Sequence, residues 1–331
     1  MKRNKLIGVM GLGAGLVGAT VLVASCGGGS DGDGSGGTPT GATAAQIDAA
    51  SVQKMLPDIS RVVPICTASA VTAKGLAKSL PASGWMAKLL AVRAGAMGPT
   101  AKALTGTPPA DLFGSCGGKV TYLNYSHLTG VTRGTLAFQE YCTKDATGAT
   151  TVVNGAIPFV NTATPTDAGP IFQKLEASSQ GDLTTVQKDA NGAALSTEKA
   201  RFNNLVYTAG VPGGVPTAAT PDTLTLGSVV LTNKDGKTYQ QANYAVTQFV
   251  TATGGEQMSV TGTGYRSDGS SYTITSTEPL TLDSSGNWLA GKLTFTGANG
   301  ANAVAVVVPG AELQATMTVN GEAVTSGVAC K

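Results

Sequence analysis

Five dipeptides punctuate the second half of the chain: Asn191-Gly192, Asp235-Gly236, Asp268-Gly269, Asn299-Gly300 and Asn320-Gly321. Each joins a residue that tolerates the left-handed backbone region to a glycine, the combination that closes a β-hairpin. Ser285-Gly286 is a weaker signal of the same kind. Between these turns lie segments of strand length, such as "TLTLGSVVLT", "QMSVTGTGYR", "SYTITST" and "AVAVVV". Consecutive hairpins make each strand pair with the next, so the chain predicts an antiparallel meander over residues 114–331. Leu293 and Phe295 alternate with Lys292, Thr294 and Thr296, while Leu313, Ala315, Met317 and Val319 share one face. Such a sheet has one apolar and one wet face. Roughly ten or more strands in one twisted sheet must curl, split or close. The expected fold is therefore mainly β: a large antiparallel meander forming one curled sheet or open half-barrel, with an N-terminal helical segment packed against it.

That helical segment is expected over residues 46–113. Its apolar periodicity is interrupted before Pro57, Pro81 and Pro99, and Trp85, Leu89 and Val92 recur at helical spacing. Lys74, Lys78, Lys88, Arg93 and Lys102 then point outward from the covered sheet. Residues 26–45 are rich in Gly, Ser and Thr, bury nothing, and read as a flexible tether with a reach of about 24 Å. Asp31 and Asp33 imitate the start of a calcium loop, but position twelve of that loop is Ala42, which has no carboxylate to give.

The N-terminus carries a different kind of signal. Gly13, Gly15 and Gly18 have the spacing of a dinucleotide-binding turn, yet no βαβ unit surrounds them. Instead Lys2, Arg3 and Lys5 precede an uncharged run from Leu6 to Ala24. The run ends in Val23-Ala24-Ser25-Cys26, an aliphatic residue, two small residues and a cysteine. This resembles the lipobox of bacterial lipoproteins. The resemblance covers residues 1–26 only and implies that residues 1–25 are a signal peptide. It further implies that the Cys26 thiol takes a diacylglyceryl group and that the new amine is acylated, commonly with palmitate. In that family an Asp after the lipidated cysteine retains the protein in the inner membrane; Gly27 stands there, so the outer membrane is implied. Loss of residues 1–25 leaves 19 basic against 20 acidic residues, a balance that asks for no nucleic-acid partner.

Four cysteines remain, an even number suited to two disulfides with three possible connectivities in an oxidising compartment. One hairpin discriminates between them. If partners across Leu128-Thr129-Gly130 sum to 258, Val120 faces Phe138 and Tyr122 faces Leu136 on one apolar face, and Lys119 faces Gln139 on the other. The same register sets Cys116 against Cys142, which leaves Cys66 and Cys330 as the second pair.

Catalytic constellations fail one by one. Ser51-Val52-Gln53-Lys54 matches the first motif of penicillin-binding enzymes, but Ser267-Asp268-Gly269 and Lys237-Thr238-Tyr239 miss the other two at the third residue. His127 is the only histidine; it sits near a hairpin tip and reads as a solvated surface group. No catalytic residue, metal ligand or cofactor site is expected, and no enzymatic activity. The chain reads as an outer-membrane lipoprotein serving as a structural or interaction module of the envelope, with envelope proteins as partners. The alternative is a carrier or receptor for an apolar ligand held between sheet and helices, similar to the periplasmic lipoprotein carriers.

Overall fold

In a computed structural model, the residues described are 42–48 and 108–323, apart from 145–147, 167–170, 233–235, 237, 267, 286 and 311–313. The expected signal peptide, Cys26, Cys66, Cys330 and nearly all of the expected helical segment lie outside them.

The described chain forms one antiparallel sheet. It opens with β1 (Leu112–Phe113), β2 (Lys119–Leu128), β3 (Val131–Lys144), β4 (Thr150–Thr164) and β5 (Ile171–Ala177). It continues with β6 (Leu183–Lys188), β7 (Ala194–Thr208), β8 (Asp222–Thr232), β9 (Thr238–Val250) and β10 (Glu256–Tyr265). The last members are β11 (Ser271–Leu282), β12 (Trp288–Thr296), β13 (Asn302–Val308), β14 (Gln314–Val319) and β15 (Glu322–Ala323). Neighbours in sequence are neighbours in the sheet, with one departure. β5 and β6 lie end to end between β4 and β7, as a single strand interrupted at residues 178–182. The helical segment expected over residues 46–113 is corrected at its edge: Leu112–Phe113 form the strand β1, which pairs with β2.

The apolar residues of nearly every strand meet in one core. Keeping them on one face requires that the alternation be broken midway along several strands. In β7 the buried positions are Ala200 and Phe202, then Leu205 and Tyr207. The parity changes at Asn204, whose φ is +48°. In β3 it changes between Phe138 and Tyr141, across Glu140 at φ +49°. In β12 it changes between Trp288 and Leu293, across Gly291 at φ +145°.

These irregularities line up. Glu140 donates its backbone N–H to Asn154 Oδ1 at 2.7 Å, beside Gly155. The break at 178–182 is stitched on one side by Gln180 N–H to the Ala156 carbonyl at 2.8 Å. On the other side Ser179 N–H reaches the Phe202 carbonyl at 2.9 Å. Asn204 then lies opposite Gly227, and Gly227 opposite Asn243, whose φ is +50°. A Cβ on Gly227 would stand 3.0 Å from the Asn204 Cβ, so the row needs glycine there. Further on, β10 shifts register against β11 between Met258 and Thr261. A crease of extra residues thus crosses the sheet from β3 to β12, and each bulge bends its strand.

The two ends of the sheet differ. One end carries the dipeptide turns: Asn191-Gly192, Gly236, Asp268-Gly269, Asn299-Gly300 and Asn320-Gly321. Residues 42–48 dock on this end. Ala45 N–H donates to the Ser271 carbonyl at 2.7 Å, Ala298 N–H to the Ala45 carbonyl at 2.6 Å, and Asn320 Nδ2 to the Ile47 carbonyl at 3.0 Å. Ala45 and Ile47 are buried, and Gly297 makes room for them: a Cβ there would stand 2.1 Å from the Ala45 oxygen. The tether, expected to run to residue 45, therefore gives way to a docked strap by residue 43.

The same end holds the Cys116–Cys142 bond, with a Cα–Cα distance of 5.1 Å. Cys116 sits in the β1–β2 turn, where its N–H donates to the Cys142 carbonyl at 3.3 Å. The β2–β3 pairs from Lys119–Gln139 to Leu123–Thr135 keep the expected register. Cys66 and Cys330 lie outside the described residues.

Two measurements check this reading. Non-reducing peptide mapping is expected to recover a Cys116–Cys142 peptide, and replacing both cysteines by serine should cost about 3–4 kcal/mol for a loop of this length. In urea denaturation, Asn243→Val should cost about 1–2 kcal/mol, while Glu140→Gly should gain roughly 0.5–1 kcal/mol, because only the first forces a branched residue into the left-handed region.

Candidate functional site

The opposite end of the sheet carries the loop 210–221, which leads into β8, and the two-residue Thr129-Gly130 turn that joins β2 to β3. Here β2, β3 and β4 present polar and aromatic side chains on the packed face. Their placement depends on Asn124, at φ +50°, which shifts the β2–β3 register between Leu123 and Ser126. Before it, Val120 and Tyr122 face the core; after it, Tyr125 and His127 do. The shift turns His127 toward the packed face, where it is half-buried. The solvated surface position expected for it is corrected on this point.

Two rows result. In the outer row His127 pairs with Thr132, and Thr132 with Asn161. His127 Nδ1 and Thr132 Oγ1 are hydrogen bonded at 2.8 Å. The Tyr125 hydroxyl bonds the same threonine. A threonine oxygen has one proton and two lone pairs, enough for both. Thr132 and Asn161 are buried, at 8% and 2% exposure. Asn161 Oδ1 has no hydrogen-bond partner among the described residues. A buried acceptor left in that state costs roughly 1–3 kcal/mol.

The inner row is aromatic. Gly134 pairs with Phe159, and an added Cβ would meet the Phe159 ring at 3.2 Å, so the missing side chain lets that ring lie over β3. Tyr122 stands edge-on to Phe159 at 6.4 Å and to Tyr125 at 6.2 Å between centroids. Burial pushes the Tyr122 phenol up, with the neighbouring Tyr125 adding to the effect. Burial also pushes Tyr125 up, against the opposing bond to Thr132. Both phenols are therefore neutral at physiological pH. The turn beside them is fixed by Ala163 N–H, which donates to the Gly130 carbonyl at 2.7 Å.

A second buried polar group lies at this end of the sheet. Asp222 accepts from the Tyr207 hydroxyl, and from Gly210 N–H at 2.9 Å, and so pins the start of the 210–221 loop. Both of its oxygens are engaged, as suits a structural part.

Among the described residues none of these arrangements is a nucleophile–base–acid chain: the row of His127, Thr132 and Asn161 contains no carboxylate. Among the described residues no group of three or more His, Cys, Asp or Glu could hold a metal ion. The Ser51–Lys54 pattern lies outside the described residues. Sequence reading missed Tyr122, Tyr125, Thr132 and Asn161 as a group. The one signal for it was Asn161 itself, a polar residue in phase with Ile157 and Phe159.

The raised phenols have a testable consequence. Above the ordinary phenol value near 10, the folded state holds protons that the unfolded state has lost. Stability is then fully present below pH of about 10 and falls as pH rises past it. Tyr125→Phe is expected to make that alkaline fall shallower, read as denaturation midpoint against pH. No protein-family model, curated protein or solved structure matches this chain.

Proposed function

We propose that the chain is a lipoprotein of the bacterial outer membrane, anchored through Cys26, whose β domain is a non-enzymatic interaction module of the cell envelope. In this reading the sheet curls about its crease into an open half-barrel. The observation that carries the module reading is the filled inner face. Tyr207, Tyr244, Tyr272, Phe202 and Phe295 are the largest wholly buried side chains, and they sit in one core that runs from Val120 to Val319. A face filled by its own aromatic rings supports recognition at an end of the sheet over enclosure of an apolar ligand. The strap adds direction: the tether reaches the domain at the end opposite the His127 rows.

The carrier reading draws on one observation, the half-buried Tyr122 and Tyr125 rings at the rim of the packed face. It places a ligand between that rim and residues 46–113.

Anchoring is tested by Cys26→Ala, followed in membrane fractions and by palmitate labelling. The wild type is expected in the membrane and labelled. The variant is expected to be soluble or uncleaved, since three acyl chains exceed the two signals that stable anchoring needs. A variant that is still processed and membrane-bound like the wild type rules the lipoprotein reading out.

A further inference from the structure

We propose that the two rows at the β2–β4 end bind a neutral sugar ring, such as one unit of an envelope polysaccharide. The inference rests on the module reading above and gives that module a ligand class.

Charge comes first. The side chains that build the rows are Tyr122, Tyr125, Phe159, His127, Thr132 and Asn161. None is a carboxylate, an ammonium or a guanidinium. Arg133 lies between Thr132 and Gly134 in sequence, so it alternates to the other face, where it is exposed. Lys174 and Glu176 flank Leu175, the partner of Asn161, and pair with each other at 2.8 Å away from the buried face. Among the described residues that build the rows a charged ligand finds no counter-charge, and burying its charge is costly.

Shape and hydrogen bonding narrow the class. Phe159 is buried, and the half-buried Tyr122 and Tyr125 rings, set edge-on to each other, offer the apolar surface for the C–H face of a sugar, while the imidazole, the Thr132 hydroxyl and the Asn161 amide lie in the next row. A pyranose offers that combination: one apolar face and a rim of hydroxyls, each both donor and acceptor. The Asn161 oxygen carries the argument furthest. It is buried in the row and unpartnered among the described residues, so the site keeps an acceptor that only a donor can satisfy. The oxygen is covered, so a ligand reaches it only when the half-buried side chains of the rim shift; an apolar ligand there would leave it unpaired, and a sugar hydroxyl would not. Tyr122, Tyr125 and His127 are only half-buried and form the accessible rim.

The single histidine makes the test clean, because its C2–H proton gives one resolved NMR resonance. The full chain in detergent micelles is titrated with maltotriose, with tri-N-acetylglucosamine and, for comparison, with hexanoate. At least one sugar is expected to move the His127 resonance saturably, with a dissociation constant of about 1 mM or tighter. Asn161→Ala and Tyr125→Ser are each expected to weaken that binding by about tenfold. The proposal is overturned if neither sugar moves the resonance up to about 50 mM. It is equally overturned if only hexanoate does, or if folded variants bind as the wild type does. Should Asn161→Ala fail to fold, the half-exposed Tyr125→Ser decides. Failure here is separable from failure of the anchor: a silent histidine on a membrane-bound chain removes the site and keeps the lipoprotein, and the converse result does the opposite.

Discussion

Long strands in this sheet must keep their apolar side chains on one face, and a few residues that break the alternation make that possible. A strand with period two and no interruption stays in phase only while its neighbours stay straight. Here β3, β4 and β7 run for 14, 15 and 15 residues, well beyond the usual strand. Each has a left-handed residue or a glycine near its middle: Glu140, Gly155 and Asn204. Because Glu140 and Gly155 lie side by side and the break at 178–182 connects Gly155 to Asn204, the extra residues reinforce one another across the sheet and do not accumulate as register errors. The core then stays continuous on both sides of the crease, with Phe202 and Leu205 buried either side of Asn204.

The chemistry of the two ends follows from what each must hold. At one end the turns are short, the strap residues Ala45 and Ile47 fill the space that Gly297 leaves, and the Cys116–Cys142 bond ties the first turn to β3. Asn320 serves two segments at once there, accepting from Asn302 N–H at 2.9 Å while donating to Ile47. At the other end Asp222 spends both oxygens on fixing a loop, whereas Asn161 leaves its oxygen unspent. Buried polar groups in native proteins are almost always paired. The contrast between these two residues separates structural polarity from polarity held in reserve.

Much of the β architecture was legible because its signals are local. Asn-Gly and Asp-Gly turns report their own backbone chemistry: Asn191-Gly192, Asp268-Gly269, Asn299-Gly300 and Asn320-Gly321 lie where strands turn, and Gly236 lies between β8 and β9. The apolar pairs Val120–Phe138 and Tyr122–Leu136 fixed the register of the first long hairpin as far as Leu123. Beyond that residue the inference failed. An asparagine in a strand does not announce a positive φ, so nothing in "YLNYSHL" tells the reader that Tyr125, and not Ser126, continues the face of Tyr122. His127, read as a solvated surface group, is half-buried on the packed face for that reason. The strap was illegible for another reason: "ATAAQID" resembles the tether before it, and Ala45 and Ile47 are buried only because a distant glycine, Gly297, leaves room.

The strap also sets what the far end can meet, given an anchor at Cys26. On the proposed anchoring, about 16 residues of flexible linker between Cys26 and the strap would have a root-mean-square reach of roughly 22 Å. A strand such as β3, with 14 residues at about 3.3 Å each, spans roughly 46 Å. The tether joins the sheet at the end that carries the Asn320 turn, so the His127 end lies a strand's length beyond the point of attachment. Had the strap been free, the linker would have lengthened by its residues and either end could have turned to the bilayer. Docked by backbone hydrogen bonds on both sides of Ala45, it would, on the proposed anchoring, direct the rows of Tyr122 and His127 away from the lipid surface. A neutral, half-buried site at that end is then suited to a ligand that stands off the membrane, and poorly suited to the anionic headgroups beside the anchor.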